Sequence, residues 1–323
     1  MAAISIQPSF LFVGIVINCL KCYNRCKYPT GGASMPYKEF CLNRYNELFN
    51  QHYPVFLNRR TGQTAQKQAE QAAQRIAIKD TLKEALDRYS PEIETADLWK
   101  AIYVAHLKRK SGLTTLDTID EQIIAKVISA DQSWKKASGH AFEAFIFEVA
   151  NPLLEQYSIR FALQTDVHQM IKDGKIHNDG VDMTWLNQRI HTDVFDLYAL
   201  VTFQNQNFVF GCIQSKTSIR DRVTRDREPS QQAMEAKFWS IAVTLDGQFL
   251  AMPKFKEMVN GGGHDYAENG WHGLYVMSEL YSDDRIYSID KQLTRLVSHA
   301  RQASAAWMSA RQRFNSTWRP HQE

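Results

Sequence analysis

The spacing of apolar side chains divides the chain into a helical part and a mixed part. Between residues 37 and about 157, apolar side chains such as Phe40, Tyr45 and Phe49 recur near helical intervals. A stripe of small residues follows on a segment rich in Gln, Glu and Lys: Ala65, Ala69, Ala72, Ala73 and Ile76. Small side chains allow two helices to approach closely, so we expect this segment to pack against a neighbouring helix.

Local stop signals divide the helical part into separate helices. Ser90-Pro91 ends one helix, because proline cannot continue the hydrogen-bond ladder, and Thr95 or Asp97 can cap the next. That helix should end at Ser111-Gly112, after the basic run at 108–110. The pattern predicts short helices packed as a bundle.

Extended runs replace the helical pattern after about residue 157. Residues 160–163 and 180–185 are typical of short strands, and residues 194–203 and 208–214 form a hairpin signature around a polar turn. We expect a helix over 230–245 and short strands at 248–252 and 273–277. The fold class predicted is therefore α/β, a mixed β-sheet flanked by helices with a helical region before it.

Net charge limits how this protein could bind nucleic acid. The 323 residues carry a formal charge of only +3, so any such contact needs a local basic patch rather than bulk charge. Five cysteines, at 19, 22, 26, 41 and 212, are more typical of free thiols in a reducing cytoplasm than of a disulfide framework.

Residues 1–34 form an N-terminal extension of uncertain status. Their apolar run at 10–17 is shorter than the ~20 residues that span a bilayer, and no Lys or Arg precedes it as in a signal peptide. Cys19, Cys22 and Cys26 lack a fourth ligand nearby, which favours a structural role over a metal site. Met35 is an alternative start, and we expect no membrane partner.

The predicted hairpin brings a carboxylate beside an amine. Pairing its strands about the turn places Lys216 opposite residue 195 or so, next to Asp196. Hydrolysis of a phosphodiester needs an Asp that binds Mg²⁺, a second acidic or carbonyl ligand, and a Lys that orients the attacking water. An edge salt bridge is an equally common interpretation of the pair alone.

The segment after Lys216 is strongly basic. It contains Arg220, Arg222, Arg225 and Arg227 with only Asp221 and Asp226 between them. Arg fits the O6 and N7 acceptors of guanine and Asp can accept from cytosine N4, so Arg-Asp-Arg suits the reading of adjacent G·C pairs. A solvated run of charges remains the alternative.

Together these motifs resemble the PD-(D/E)XK restriction endonucleases of the CCGG family. The resemblance rests on Ser215-Lys216 followed by Arg220-Asp221-Arg222, behind a hairpin that bears Asp196. It covers about residues 139–245. Position 214 is Gln, which fits a family in which the acidic residue two before the lysine is replaced by a glutamate from the following helix.

What the resemblance implies about the acidic residues is more open. Glu235 is the first choice for the relocated carboxylate, with Glu228 as the alternative, and Glu143 supplies an upstream glutamate, with Glu148 less favoured. Asp196 and Glu235 are then the metal ligands. Asp193 and Asp182 compete with Asp196. His140, His177 and His191 fit no zinc or nuclease motif and receive no role.

The sequence therefore predicts a type II restriction endonuclease. It would comprise a helical accessory region at 35–130 and a nuclease domain at 131–323. Its expected cofactor is Mg²⁺, and its partner is double-stranded DNA with a palindromic CC/GG core, either continuous or interrupted as in CCNGG. We expect a homodimer as its assembly and a cognate DNA methyltransferase as its genetic partner. Arg220, Asp221, Arg222, Arg225 and Arg227 would contact the DNA. A structure-specific repair nuclease and a non-catalytic DNA-binding protein remain alternatives.

Overall fold

The computed structural model describes residues 35–58, 62–112, 121–192, 194–217, 223–311 and 314–321. The expectations for the N-terminal extension, with its apolar run and its three cysteines, lie outside these residues. So do those for Asp193, Arg220, Asp221 and Arg222. Within the described part, no helix combines the length and the apolar character that crossing a membrane requires.

The first half of the chain is helical, as predicted, but its helices have 17 to 34 residues and are not the short helices expected. It contains the helices α1 (Tyr37–Leu57), α2 (Gln63–Tyr89), α3 (Thr95–Ser111) and α4 (Glu121–Leu154). The predicted small-residue stripe lies on α2, which packs against α1 and α4. Ala69 and Ala73 are buried, whereas Ala65, Ala72 and Ile76 are half-buried. Gly112 ends α3 in the left-handed conformation, at φ 71°, as a glycine C-cap does.

A mixed sheet forms the second half. Its six strands lie in chain order: β1 (Ile159–Leu163), β2 (Leu197–Phe203), β3 (Gln206–Lys216), β4 (Trp239–Thr244), β5 (Gly273–Val276) and β6 (Ile286–Ser288). The first three strands are antiparallel neighbours and the last four are parallel neighbours. The predicted hairpin is confirmed, with its turn at Gln204 and Asn205 in the left-handed region.

Helices cover both faces of this sheet, which confirms the predicted fold class. The alternate side chains of each strand point to opposite faces. One face packs on α4 and on α9 (Thr294–Ala310). The other packs on α5 (Gln164–Lys172), α6 (Gly180–Arg189), α7 (Val223–Glu235) and α8 (Pro253–Asn260).

The long helix α4 connects the bundle to the sheet. It runs through residue 130, where the sequence placed the border between accessory region and nuclease domain. One hydrophobic core contains side chains of α1 to α4 together with inward residues of the sheet. The division at 130 stays a prediction.

Three local expectations are wrong. Residues 180–185 are helical rather than extended, because Asp179 caps α6 by accepting a hydrogen bond from the Asp182 amide. The helix expected over 230–245 starts at Val223 and ends at Glu235, and the apolar run after it is the buried strand β4. A short apolar run fits helix and strand equally well. Residues 248–251 form a 3₁₀ turn instead of a strand.

Candidate active site

The β2–β3 hairpin brings Asp196 and Lys216 into direct contact. Asp196 lies immediately before β2, and Lys216 is the last residue of β3. Lys216 Nζ donates a hydrogen bond to Asp196 Oδ2 at 2.6 Å, and the Ser215 amide donates to the same oxygen at 2.7 Å. The carboxylate is therefore fixed at the end of the sheet by its neighbouring strand.

Burial shapes the electrostatics of this pair. The side chains of Lys216 and Asp196 are only 14% and 17% exposed. Loss of solvent raises the pKa of Asp196 above its usual value, although the charge and hydrogen bond of Lys216 act against the shift. Within the described residues, Asp196 Oδ1 accepts no hydrogen bond, so one oxygen of a poorly solvated carboxylate remains for a further cation.

Glu143 on α4 lies near this carboxylate. Its charge contributes to the raised pKa of Asp196, and its side chain is only 15% exposed. His140 Nδ1 donates to Glu143 Oε2 at 3.1 Å, and that hydrogen bond raises the pKa of His140. Glu148, the less favoured candidate, instead pairs with Lys79. The structure thus brings Glu143 to the site and directs Glu148 elsewhere.

Gln214 occupies the position two residues before Lys216 and is fully buried. Its Oε1 accepts a hydrogen bond from Trp271 Nε1 at 2.7 Å, and its Nε2 donates to the main-chain carbonyl of Asp226 at 2.9 Å. Both ends of the amide are used. Gln214 therefore ties the first turn of α7 to β3 on the face that carries Lys216.

Asp226 is a buried carboxylate to which the sequence analysis gave no metal-binding role. It is buried in the first turn of α7, on the stripe of buried residues that also contains Val223, Ser230 and Ala233. An acidic residue on the buried face of a helix was the available signal. It could be recognised only if the helix was taken to begin at 223 rather than 230.

Glu235 and Glu228 are not brought to this group. Glu235 is exposed at the far end of α7, nine residues beyond Asp226, which corresponds to about 13 Å along a helix. Trp239, which follows it, pairs with Gly211 rather than with the end of β3. Glu228 points to solvent and accepts a hydrogen bond from Gln232.

Asp182, the alternative to Asp196, has structural partners. It is buried in α6 and accepts hydrogen bonds from Asn178 Nδ2 at 3.0 Å and from the Arg311 guanidinium. Arg311 also pairs with Asp179. This network connects α6 to the end of α9.

The two described arginines of the basic segment differ. Arg225 is exposed on the first turn of α7. Arg227 donates to the main-chain oxygens of Met258 and Glu268, and its guanidinium lies over the ring of Tyr266 at 5.2 Å. Arg227 therefore connects α7 to α8 and to the segment after it, whereas Arg225 is free of these contacts and exposed to a partner.

The donor set at this end of the sheet suits a hard cation. Among the described residues, no three His, Cys, Asp or Glu side chains converge closely enough to hold an ion alone. Mg²⁺ is commonly bound through one or two carboxylates, with water and substrate phosphate completing its shell. Asp196 can provide such an oxygen, and the buried Ser215 hydroxyl, which has no partner among the described residues, leaves room for one more polar contact.

Comparison with known proteins assigns the family. The model of the family described as BsaWI restriction endonuclease type 2 matches residues 169–313. The crystal structure of the pre-specific restriction endonuclease BsaWI–DNA complex is 48% identical, with a TM-score of 0.62, over 90% of this chain and 100% of that chain. The specific restriction endonuclease AgeI–DNA complex is 18% identical, with a TM-score of 0.47, over 76% of this chain and 85% of that chain. No curated protein matches.

The likeness to BsaWI extends over nearly the whole chain at an identity well above the level that marks common descent. It confirms the resemblance to restriction enzymes drawn from the sequence, at the level of the type II class. The chain therefore belongs to the BsaWI family of type II restriction endonucleases and is a type II site-specific nuclease.

Proposed function

We propose that this enzyme hydrolyses double-stranded DNA at a palindromic site with a CC/GG core, with Mg²⁺ as its cofactor. The observation that carries the proposal is the contact of Lys216 Nζ and the Ser215 amide with one oxygen of Asp196. Restriction endonucleases generally use a divalent metal ion, and the 48% identical relative was crystallised as a DNA complex.

Asp196 is the proposed principal metal ligand. Asp226 replaces Glu235 as the second carboxylate, because Gln214 fixes its helical turn against the strand that bears Lys216. Glu143 supports the group through its negative charge near Asp196. A bound Mg²⁺ would stabilise the negative charge that develops on the phosphate oxygens.

Lys216 has the proposed role of orienting the reactants. Its ammonium group is held by Asp196, so it is fixed in position to contact the scissile phosphate and the attacking water. In-line attack by that water displaces the 3′-oxygen and leaves 5′-phosphate and 3′-hydroxyl ends. The low exposure of both side chains strengthens these charge interactions relative to bulk water.

Base recognition is assigned to the segment that follows Lys216. Arg220, Asp221 and Arg222 read the CC/GG core in this proposal, and the exposed Arg225 contacts DNA beside them. Arg227 is removed from the set of DNA contacts, since its donors are used within the protein. A homodimer would match a palindromic site, and a cognate methyltransferase would protect host DNA.

The direct test is digestion of a sequenced plasmid with Mg²⁺ and, in parallel, with EDTA, followed by mapping of the ends. We expect discrete fragments with Mg²⁺, all cut at one palindrome containing CC/GG, and intact plasmid with EDTA. Lys216→Ala should bind DNA without cutting it. Cutting in EDTA would exclude the metal role, and fragments cut at a site without CC/GG would exclude the proposed target.

A further inference from the structure

The helical bundle contains a cavity that the proposed catalytic group does not use. It has a volume of about 590 Å³ and lies between α1, α2 and α3. Its rim includes the exposed Lys110 and the half-buried Tyr53. This volume lies within the range of about 300–1,000 Å³ that is usual for small-molecule sites.

One cation in this cavity lacks an acidic partner. Lys110 is paired with Glu70, so these two charges cancel. Arg109 makes no ion pair with a carboxylate in the part of the chain that the structure describes. The charges that line the cavity therefore sum to one positive charge, which lies on Arg109.

The guanidinium of Arg109 is held in a fixed orientation. Its nitrogens donate to Asn46 Oδ1 at 3.1 Å and to Asn50 Oδ1 at 2.8 Å, and its centre lies 3.9 Å from the centroid of the Phe49 ring. These partners are neutral, so they position the group without cancelling its charge. A fixed guanidinium that keeps its charge is suited to binding phosphate.

The floor of the cavity is neutral and rigid. His106 Nε2 donates to the Ala130 carbonyl at 3.1 Å, so its Nδ1 accepts from the Tyr45 hydroxyl at 2.9 Å. Burial lowers the pKa of His106 to about 4, which leaves the ring uncharged at neutral pH. The floor itself adds no negative charge. Glu70, a carboxylate that lines the cavity, is paired with Lys110, although its charge also acts on Arg109.

Helix α4 relates this cavity to the proposed catalytic group. It contacts the cavity floor at Ala130 and carries Glu143 thirteen residues later (143 minus 130). Thirteen helical residues correspond to about 20 Å. Successive nucleotides of one DNA strand advance about 3.4 Å along the duplex, so a duplex running parallel to α4 would cover this distance in roughly six base pairs.

We propose that the Arg109 cavity binds a backbone phosphate of the DNA, roughly six base pairs from the scissile phosphate. The inference rests on the proposed DNA cleavage and adds a contact outside the catalytic group. A free nucleotide offers the same phosphate chemistry. DNA is favoured as the source because the helix that carries Glu143 also accepts the hydrogen bond that fixes His106 in the cavity floor.

Duplex length provides the test. Binding is measured over a range of salt concentrations on two duplexes with the same central site, one with three flanking base pairs on each side and one with twelve. For Arg109→Gln we expect a salt slope lower by about 1 and affinity lower by roughly fivefold to tenfold at 0.1 M salt on the long duplex. On the short duplex the variant should match the wild type.

Two further variants separate binding from folding. Arg109→Lys keeps the charge and should keep the salt slope on the long duplex. Lys100→Gln removes an exposed cation of the same helix, which pairs with the exposed Asp97, and it should leave binding to both duplexes unchanged. The proposal would be overturned in favour of a structural role if Arg109→Gln and Arg109→Lys lost equal affinity for the long duplex. It would also be overturned if Arg109→Gln lost affinity for both duplexes.

Two other outcomes are also decisive. Wild-type binding that does not depend on flank length, with Arg109→Gln unchanged, would overturn the cavity contact and leave the nuclease proposal intact. Failure of the wild type to bind either duplex would overturn both. Titration with dAMP tests the other source of phosphate, and tight binding of dAMP with no effect of Arg109→Gln on the long duplex would reassign the cavity to a free nucleotide.

Discussion

Two aspartates of this protein, Asp196 and Asp182, are each paired with a cationic side chain, and burial raises the pKa of both. Asp182 is 2% exposed, and its two oxygens are used by Asn178 and Arg311. Asp196 is 17% exposed, and its two hydrogen bonds converge on Oδ2. A buried ion pair is thus structural when every oxygen has a partner inside the fold, and available for chemistry when one oxygen faces outward.

The largest expected effect comes from exchanging each aspartate for asparagine. Asp196→Asn should lower the cleavage rate on the order of a thousandfold or more, because a metal-binding charge is lost, while the folded state is retained. Asp182→Asn should leave cleavage within about threefold and lower the free energy of unfolding by roughly 3 kcal/mol. Single-turnover cleavage and urea unfolding measure the two quantities. A thousandfold loss of cleavage in well-folded Asp182→Asn would reverse the comparison.

The same contrast applies to the two ends of α7. Asp226→Asn should lower the cleavage rate on the order of a hundredfold and raise the Mg²⁺ concentration needed for half-maximal rate. Glu235→Gln is the matched control at the exposed end of the helix and should cleave within about twofold of the wild type. Mg²⁺ titrations of single-turnover rates distinguish them. A larger loss of cleavage in Glu235→Gln than in Asp226→Asn would instead assign the second metal-binding carboxylate to Glu235.

Gln214→Glu tests whether the buried amide is a positioning residue for Asp226. A carboxylate at 214 would restore the acidic residue of the usual nuclease motif, yet it cannot donate to the Asp226 carbonyl. We expect cleavage to fall roughly tenfold, corresponding to about 1.4 kcal/mol, with the Mg²⁺ requirement raised. Trp271→Phe removes the other partner of the amide and should shift the Mg²⁺ requirement in the same direction. Faster cleavage by Gln214→Glu would contradict the positioning role.

The last prediction concerns stability against pH rather than cleavage, and it compares a histidine of the bundle with one beside the sheet. Burial lowers the pKa of His106 to about 4 and that of His272 to about 3, from an ordinary value of 6.5. The unfolded chain therefore takes up protons below pH 6.5 that the folded chain refuses, and stability falls as the pH falls toward 4 and 3. Each histidine should remove about 2 kcal/mol between pH 7 and 5.

Urea unfolding at these two pH values measures this effect. His106→Gln and His272→Gln should each reduce by about half the change in the free energy of unfolding between pH 7 and pH 5. The wild-type free energy of unfolding is expected to decrease on acidification, so an unchanged value at pH 5 would show that neither ring is held neutral by the fold.

The hairpin and its pair could be predicted because their signals are local. A polar turn between two apolar runs determines which residues face each other, and that register was enough to bring Lys216 beside Asp196. The ends of α2 and α3 were equally local, since Pro91 and Gly112 act on their own backbone. Such features need no knowledge of the rest of the fold.

Asp226 could not be found in this way because its placement depends on the packing of the sheet. The run from Phe238 to Leu245 fits a helix by spacing and becomes a strand only because β3 and β5 flank it. Once this run was taken as helix, the predicted start of α7 came seven residues too late, and Glu235 was preferred to Asp226, the carboxylate proposed above. The partner of Gln214, Trp271, is 57 residues away along the chain, so no local pattern could reveal it.

The continuity of α4 restricts how this family can vary in length. Successive residues of an α-helix are rotated by about 100° about its axis. If the bundle stays fixed, one residue inserted between Ala130 and Glu143 would therefore turn the glutamate away from Asp196. Two whole turns take about seven residues and restore the angle. Homologues that lengthen or shorten this stretch should therefore do so in steps of about seven residues. A single-residue deletion there should change the orientation of the bundle relative to the sheet.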